Sequence, residues 1–205
     1  MNIFRQLTEM PWLTDEGTVV ELHDGRVIAL PTAKLGLRVF LVVVGVVFSL
    51  LVAAYADRMV LGDWRPLPEP WLLWLNTAVL ILSSVAFHRA RGAANQGRRD
   101  GVRMWLRAAG VLAIAFLAGQ LLAWQQLAAL GYFAATNPAN SFFYLLTALH
   151  GLHMMGGLVA WGRTSAKVRR GVELSHVRMS VDMCTTYWHF LLAIWLILFT
   201  LVLLT

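Results

Sequence analysis

Apolar residues fill five long stretches of this chain, and charged residues fall mostly in the intervals between them. The stretches run over residues 35–56, 71–90, 104–129, 140–161 and 183–204. A helix needs about 20 consecutive apolar residues to cross the hydrocarbon core of a bilayer. Backbone polar groups in lipid must be satisfied within their own segment or in a closed barrel, and these lengths suit helices. The pattern predicts an all-α integral membrane protein, with a five-helix transmembrane bundle over residues 35–205.

The segment before the first stretch, residues 1–34, has a different pattern. Its sequence "TVVELHDGRVIALP" alternates apolar and polar residues on both sides of Asp24-Gly25. Asp-Gly between two such runs is typical of a tight hairpin turn, because the turn requires positive φ angles. The pattern predicts a short β-hairpin over about residues 18–30, ended by Pro31. Nothing in this segment resembles a cleaved signal peptide, since no apolar core follows a basic start.

Composition agrees with a membrane location. Hydrophobic residues make up 59% of the 205 and charged residues only 14%, whereas a soluble domain carries about 25% charged residues. The single cysteine, Cys184, excludes a disulfide or a thiolate metal cluster within the chain. We expect Cys184 to be a small apolar filler.

The distribution of basic residues predicts the orientation in the membrane. Fifteen of the 17 Lys and Arg residues lie in residues 1–38, 89–107 and 163–178, which five spans place on one side. The other side has only Arg58 and Arg65. The positive-inside rule therefore predicts a cytoplasmic N-terminus and an outside C-terminus. The net charge of +6 then requires no nucleic-acid partner, although residues 88–107 could also form a docking surface for a partner or for anionic lipid.

Polar residues inside the spans are the candidates for function, because each is costly in lipid. They are Asn76, Ser83, Ser84, Gln120, Gln125, His150, His153 and His189. All eleven acidic residues lie in loops or at helix ends. The absence of an intramembrane carboxylate argues against a proton relay or a cation path through this chain.

The three histidines could bind haem or a metal, or they could form hydrogen bonds within the bundle or to lipid headgroups. His150 and His153 share a helix face, and the predicted depth of His153 matches that of His189. His150 and His153 are too close in sequence to hold opposite faces of one haem, and no carboxylate or cysteine is near enough to complete a metal site. This favours hydrogen bonding. Small residues at spacing four, Thr147 with Gly151 and Gly156 with Ala160, predict close approach of a neighbouring helix.

Five motifs together resemble one family. They are "KLGLRVFLVVVGVVFSLLVAAY" (34–55), "WLNTAVLILSSVAFHRA" (74–90), "FLAGQLLAW" (116–124), "FFYLLTALHGLHMMGGL" (142–158) and "YWHFLLAIWLILF" (187–199). In this order they resemble subunit III of cytochrome c oxidase and its relatives in the haem–copper oxidases, in the short five-helix form. The third motif resembles the family pattern at Gln120 and Trp124, and the fifth at Trp188 and His189.

The resemblance implies a non-catalytic integral subunit of a cytochrome c or quinol oxidase complex in the bacterial inner membrane. Such a subunit packs beside subunit I, with subunit II in the same complex, and contacts phospholipids. It supports oxygen reduction and proton translocation, while haem and copper belong to the partners and this chain holds no cofactor or metal. No residue is expected to be catalytic. The structural, lipid or interface candidates are His150, His153, His189, Asn76, Gln120, Trp124 and Trp188.

The chain departs from the family pattern at three positions. Val44, Ala123 and Leu192 stand where the family usually has carboxylates, which in the family are tied to the lipid-facing surface, oxygen access and proton uptake. Two alternatives remain open at this point. One is a subunit-III-like accessory protein of a nitric oxide reductase, and the other is a small membrane cytochrome b or transporter.

Overall fold

A computed structural model describes residues 18–21, 27–30, 32–60 and 71–204 of the chain. Its helices are α1 Thr32–Met59, α2 Trp71–Asn95, α3 Arg99–Ala129, α4 Pro138–Arg169 and α5 Leu174–Leu203. All five are long and apolar enough to cross a membrane. The prediction of an all-α fold with five long apolar helices is confirmed.

Two short strands precede the helices. β1 Thr18–Glu21 pairs antiparallel with β2 Val27–Leu30, and Thr18 lies opposite Leu30. Residues 22–26 lie outside the described residues, so the turn at Asp24-Gly25 and the hairpin as a whole stay a prediction. Two compact units divide within α1, between Phe40 and Leu41, and the second unit contains all the contacts considered below.

The helices are longer than the apolar stretches that predict them. α3 begins at Arg99 rather than at residue 104, and α4 continues to Arg169 rather than to residue 161. These extensions are rich in arginine, and arginines at this end of the bundle bond to neighbouring helices and connections. Arg178 of α5, for example, donates hydrogen bonds to the carbonyls of Ala94 and Asn95 at the end of α2 (2.9 and 3.0 Å). A cation at a helix C-terminus also interacts favourably with the helix dipole.

Local residues explain where the helices begin and end. The Asn137 side chain accepts a hydrogen bond from the backbone N–H of Ala139, with Pro138 in the first turn of α4, a typical N-terminal signal. Helices α2, α3 and α4 are each followed within two residues by a glycine with positive φ, at Gly97, Gly131 and Gly171. Only glycine adopts this conformation without strain, so these residues end the helices and allow short connections.

Helices α2 to α5 form most of the core. α2 packs against α3 and α5, and α4 packs against the same two helices. Residues 44–55 of α1 join the core through an apolar cluster of Val44, Phe48, Tyr55, Leu146, Ile194 and Leu198. Only 17% of the most apolar part of α1 is buried, against 33–50% for the other four helices. α1 therefore presents most of its surface to the surroundings of the bundle.

Candidate functional site

His150 of α4 lies at the centre of the helix bundle and is fully buried. Its ring packs edge-on against Phe116 of α3 and is tilted against Trp195 of α5, with centroid distances of 5.9 and 5.3 Å. Neither ring nitrogen has a hydrogen-bond partner among the described residues. The predicted hydrogen bond across the bundle is therefore absent for His150 in this part of the chain, and the imidazole serves as a packed aromatic group.

His153, one turn further along α4, has different surroundings. Its Nδ1 lies 2.7 Å from the carbonyl oxygen of Leu149 on the same helix. Because a carbonyl can only accept, Nδ1 carries the proton in this contact. The ring also packs edge-on against Phe48 of α1, at 5.6 Å between centroids. The Tyr187 hydroxyl donates to the His153 backbone carbonyl (2.9 Å), which ties α5 to α4 at this level.

His189 of α5 contacts α2 instead. Its Nδ1 lies 2.6 Å from the hydroxyl oxygen of Ser84, and its ring stacks on that of His88 at 5.9 Å. Here the predicted interhelical hydrogen bond is present. The described partners of His153 and His189 lie on different helices, so the structure does not bring these two imidazoles together in the way their similar depth suggests.

Asn76 and Gln120 meet at the contact between α2 and α3. The amide nitrogen of Asn76 lies 3.5 Å from Oε1 of Gln120, which is long for a hydrogen bond. Gly119 makes this approach possible, because a Cβ at that position would overlap the Asn76 side chain. Nε2 of Gln120 is buried and has no hydrogen-bond partner in the described part of the chain. The sequence pattern indicates both polar residues as candidates, but it does not indicate the glycine that lets the two helices approach.

Three indoles donate hydrogen bonds between helices. Trp124 donates to Thr147 (3.1 Å), Trp161 to the Leu106 carbonyl (2.7 Å) and Trp195 to Thr77 (2.9 Å). These bonds join α3 to α4 twice and α5 to α2 once. A buried indole usually needs such a partner, so Trp124 has a clear structural role.

Trp188 packs differently from the other indoles. It is fully buried, its ring is tilted against Phe87 at 4.4 Å, and its Nε1 has no hydrogen-bond partner within the described ranges. Gly157 makes room for it, since a Cβ there would lie 2.7 Å from the indole. The predicted close approach at Gly156 and Ala160 is wrong for the described helices. Gly156 has nothing within 4 Å of an added Cβ and both residues are exposed; the approach occurs at Gly157, on an adjacent face.

A groove of about 640 Å³ opens between α3 and α4. Its walls are mostly apolar, with Leu117, Leu121, Leu152 and Met155 among them, and the polar residues in its lining are Gln120, Trp124 and Thr147. The groove faces outward along two predicted spans. Its shape and apolar lining suit a hydrocarbon chain rather than a charged ligand.

The arginine-rich ends of the helices form a second set of polar contacts. Arg91 of α2 pairs with Asp182 of α5 (2.7 Å). Arg99 donates to the Val172 carbonyl (3.1 Å), and Lys167 donates to the Ser180 hydroxyl (3.2 Å). The Arg99 bond holds the connection 170–173 against α3, and the other two contacts join α2 and α4 to α5. The sequence predicted a basic end but not these pairings.

The described residues contain no group of three or more His, Cys, Asp or Glu side chains placed to hold a metal ion. Cys184 is buried, and its Sγ lies 3.4 Å from the Thr164 hydroxyl of α4. His150 is enclosed by aromatic rings, while His153 and His189 contact different helices. These polar groups join helices. Among the described residues, the two imidazoles that lie close together are those of His88 and His189, which stack on one another at 5.9 Å between centroids.

Comparisons with known proteins agree with the motifs. Residues 4–204 match the family model for cytochrome c oxidase subunit III. The chain is 35% identical to cytochrome c oxidase subunit 3 of Thermostichus vulcanus over 172 residues, which cover 82% of this chain and 84% of that protein. It is 33% identical to the same subunit of Synechocystis over 173 residues, or 82% and 73% of the two chains.

A quinol oxidase subunit is also similar. Cytochrome bo(3) ubiquinol oxidase subunit 3 of Pseudomonas aeruginosa is 31% identical over 136 residues, which cover 65% of this chain and 63% of that protein. The family match spans nearly the whole chain and includes all five helices. The protein therefore belongs to the cytochrome c oxidase subunit III family.

Proposed function

We propose that this chain is a non-catalytic subunit III of a haem–copper terminal oxidase in the bacterial inner membrane. The observation that carries the proposal is the family match over residues 4–204. In this assignment the haem and copper centres belong to partner subunits I and II. Oxygen reduction and proton translocation are then activities of the complex, and this chain packs beside subunit I.

The contacts of the candidate residues support a structural role. Asn76 with Gln120, Trp124 with Thr147 and Ser84 with His189 each join two helices. A site that binds substrate would leave such groups directed into an open cavity. In each of these three pairs the two side chains contact one another, so their effect is to fix how the helices pack.

We assign the groove between α3 and α4 to the acyl chain of a phospholipid. Its volume of about 640 Å³ and its apolar walls support this assignment. The exposed face of α1, with Val42, Val43, Val46 and Leu50 between 53% and 66% exposed, is an apolar surface for lipid or for a partner helix. Phospholipids and subunit I are thus the expected neighbours of this chain.

The proposed orientation has the N-terminus in the cytoplasm and the C-terminus outside. The basic contacts of Arg91, Arg99, Lys167 and Arg178 lie around the connections 96–98 and 170–173, which supports placing that end on the cytoplasmic side by the positive-inside rule. Cysteines introduced one at a time into residues 96–98 and 132–136 would test this. A membrane-impermeant thiol reagent applied to intact cells should label only the second loop, with Cys184→Ser as the background.

The function is tested by purifying the chain from native membranes in mild detergent through a C-terminal tag. Mass spectrometry identifies the partners, and a visible spectrum detects haem. Co-purification with a haem–copper subunit I is the expected result, and the identity of that subunit distinguishes an oxidase from a nitric oxide reductase. A chain that elutes alone and colourless would contradict the subunit assignment. A chain that elutes alone with a haem band would assign the histidines to haem instead.

A further inference from the structure

Three arginines and a serine converge on a small pocket at the basic end of α3 and α4. Arg103 and Arg107 lie one turn apart on α3, and Ser165 and Arg169 lie one turn apart on α4. The pocket has a volume of about 130 Å³, roughly ten times the 10–15 Å³ of cavity volume that is needed to hold one water molecule. Its remaining walls include Leu106 and Trp161, which are joined by the indole hydrogen bond of 2.7 Å. The pocket therefore has a rigid floor and a cationic rim.

Two residues that line this pocket each have a buried polar atom without a partner. Nε of Arg103 and Oγ of Ser165 have no hydrogen-bond partner among the residues that the structure describes. The nearest acid, Asp100, lies 3.9 Å from the Arg103 guanidinium and is 99% exposed. Such a contact in water contributes little, so it does not account for the burial of Nε. A buried donor without a partner is costly, and Arg103 and Ser165 are both lining residues of the pocket.

The charge of the pocket is also uncompensated. Its lining has three guanidinium groups and no carboxylate, and no ion pair involves Arg107 or Arg169 within the described ranges. Arg103 and Arg107 are one turn apart on the same helix, where like charges repel. The Arg103 side chain is 38% exposed, and Arg107 and Arg169 are exposed residues. All three guanidinium groups can therefore turn toward an anion in the pocket.

We propose that this pocket binds a phosphate group. Phosphate oxygens accept hydrogen bonds from the planar fork of a guanidinium, which fits two oxygens at once. The Ser165 hydroxyl donates to a third oxygen, and the negative charge relieves the repulsion between Arg103 and Arg107. The phosphate comes either from the headgroup of an anionic phospholipid or from free phosphate. The site lies outside the α3–α4 groove of about 640 Å³ and does not depend on the identity of the oxidase partner.

Binding is tested on the full-length complex after its bound lipid is removed with detergent. The probes are a fluorescent short-chain phosphatidylglycerol and radiolabelled inorganic phosphate. The pocket variant is Arg103→Gln with Arg169→Gln. Its matched control is Arg98→Gln with Arg163→Gln, which removes the same charge from exposed positions on the same end of the chain. Ser165→Ala removes the hydroxyl without changing the charge, and a thermal transition confirms that each variant is folded.

The pocket pair should weaken probe binding by about 25-fold, since each arginine beside an anionic group contributes roughly a factor of five. The control pair should change it less than twofold, and Ser165→Ala should weaken it severalfold. Phosphatidylglycerol that binds and is not displaced by millimolar phosphate identifies a lipid headgroup as the source. Binding of inorganic phosphate alone identifies the free anion. Equal losses in the pocket and control pairs, or full binding by the pocket pair, would overturn the proposal.

Discussion

The indole of Trp195 on α5 donates a hydrogen bond to the hydroxyl of Thr77 on α2, with 2.9 Å between Nε1 and Oγ1. The Thr77 hydroxyl in turn donates to the carbonyl of Leu73 in its own helix (2.8 Å). Both side chains are buried. One hydroxyl thus uses its donor within α2 and its acceptor toward α5, which fixes the relative position of the two helices.

Thr77→Val should destabilise the protein because valine has nearly the same shape but cannot accept the indole hydrogen bond. The buried Nε1 of Trp195 would then lack a partner, and we expect a loss of about 1–2 kcal/mol in the free energy of unfolding. The measurement is an SDS titration of the purified complex. Thr186→Val is the control, since Thr186 is exposed and its hydroxyl bonds only within α5. Equal losses of unfolding free energy in the two variants would show that the hydrogen bond from Trp195 to Thr77 does not stabilise the protein.

Gly119→Ala should separate α2 from α3. A methyl group at this position overlaps the Asn76 side chain, and overpacking of this kind costs about 1–3 kcal/mol. The matched change Gly156→Ala adds the same methyl group where nothing lies within 4 Å, so its stability should be unchanged or slightly higher. The thermal midpoint of each variant in mild detergent provides the comparison. A Gly119→Ala protein as stable as Gly156→Ala would mean that Asn76 can move without cost.

The sequence predicted the helices well because hydropathy and length are properties of each segment alone. Contacts between segments are different. Every face of a lipid-exposed helix is apolar, so hydrophobic periodicity does not show which face meets a neighbour. Gly156 and Gly157 illustrate this, since they are adjacent and chemically identical, yet only Gly157 contacts Trp188. The register between α4 and α5 determines which of the two glycines faces Trp188.

The candidate polar residues follow the same rule. Their cost in lipid identified Asn76, Gln120 and His189, and each has a polar neighbour on another helix. His150 is a candidate for the same reason, but its imidazole packs against aromatic rings and not against a polar neighbour. The arginine-rich helix ends were predicted as connections because charge interrupts an apolar stretch. They are helical, and Arg178 and Arg99 bond to neighbouring carbonyls, which no local pattern indicates.

His150→Leu should leave the stability of the protein unchanged or raise it by up to about 1 kcal/mol. The imidazole nitrogens have no hydrogen-bond partner among the described residues, so an apolar side chain of similar size removes an unfavourable burial and no bond. The SDS titration used for Thr77→Val gives a direct comparison. A loss larger than that of Thr77→Val would instead indicate that the imidazole makes a hydrogen bond inside the bundle, for example to a buried water molecule.

His153→Phe should keep the helix bundle intact and loosen its attachment to lipid or to subunit I. Phenylalanine preserves the aromatic contact with Phe48, and the backbone carbonyl that accepts from Tyr187 is unaffected. The haem absorption of the purified complex should be unchanged, while its phospholipid content or its yield of subunit I falls. His88→Phe is the matched substitution away from α4. A shifted haem band in His153→Phe alone would assign this imidazole to the redox chemistry.

Val44→Glu would introduce a carboxylate at the position where the motif resemblance predicts one in the family, and we expect it to disrupt this protein. Val44 is 4% exposed and belongs to an apolar cluster with Phe48, Leu146 and Ile194. No cation belongs to that cluster, so a buried carboxylate there would be unpaired. The cost is at least about 2 kcal/mol.

The readout for Val44→Glu is the yield of the assembled complex from membranes containing equal amounts of the chain. Val44→Ile, which keeps the site apolar at a similar volume, should retain the wild-type yield. Val44→Gln should fall between the two, because an amide is polar but uncharged. The argument rests on the charge, so a Glu variant that assembles better than the Gln variant would contradict it. That result would mean that a cation from a partner subunit or from a lipid headgroup pairs with the carboxylate introduced at position 44.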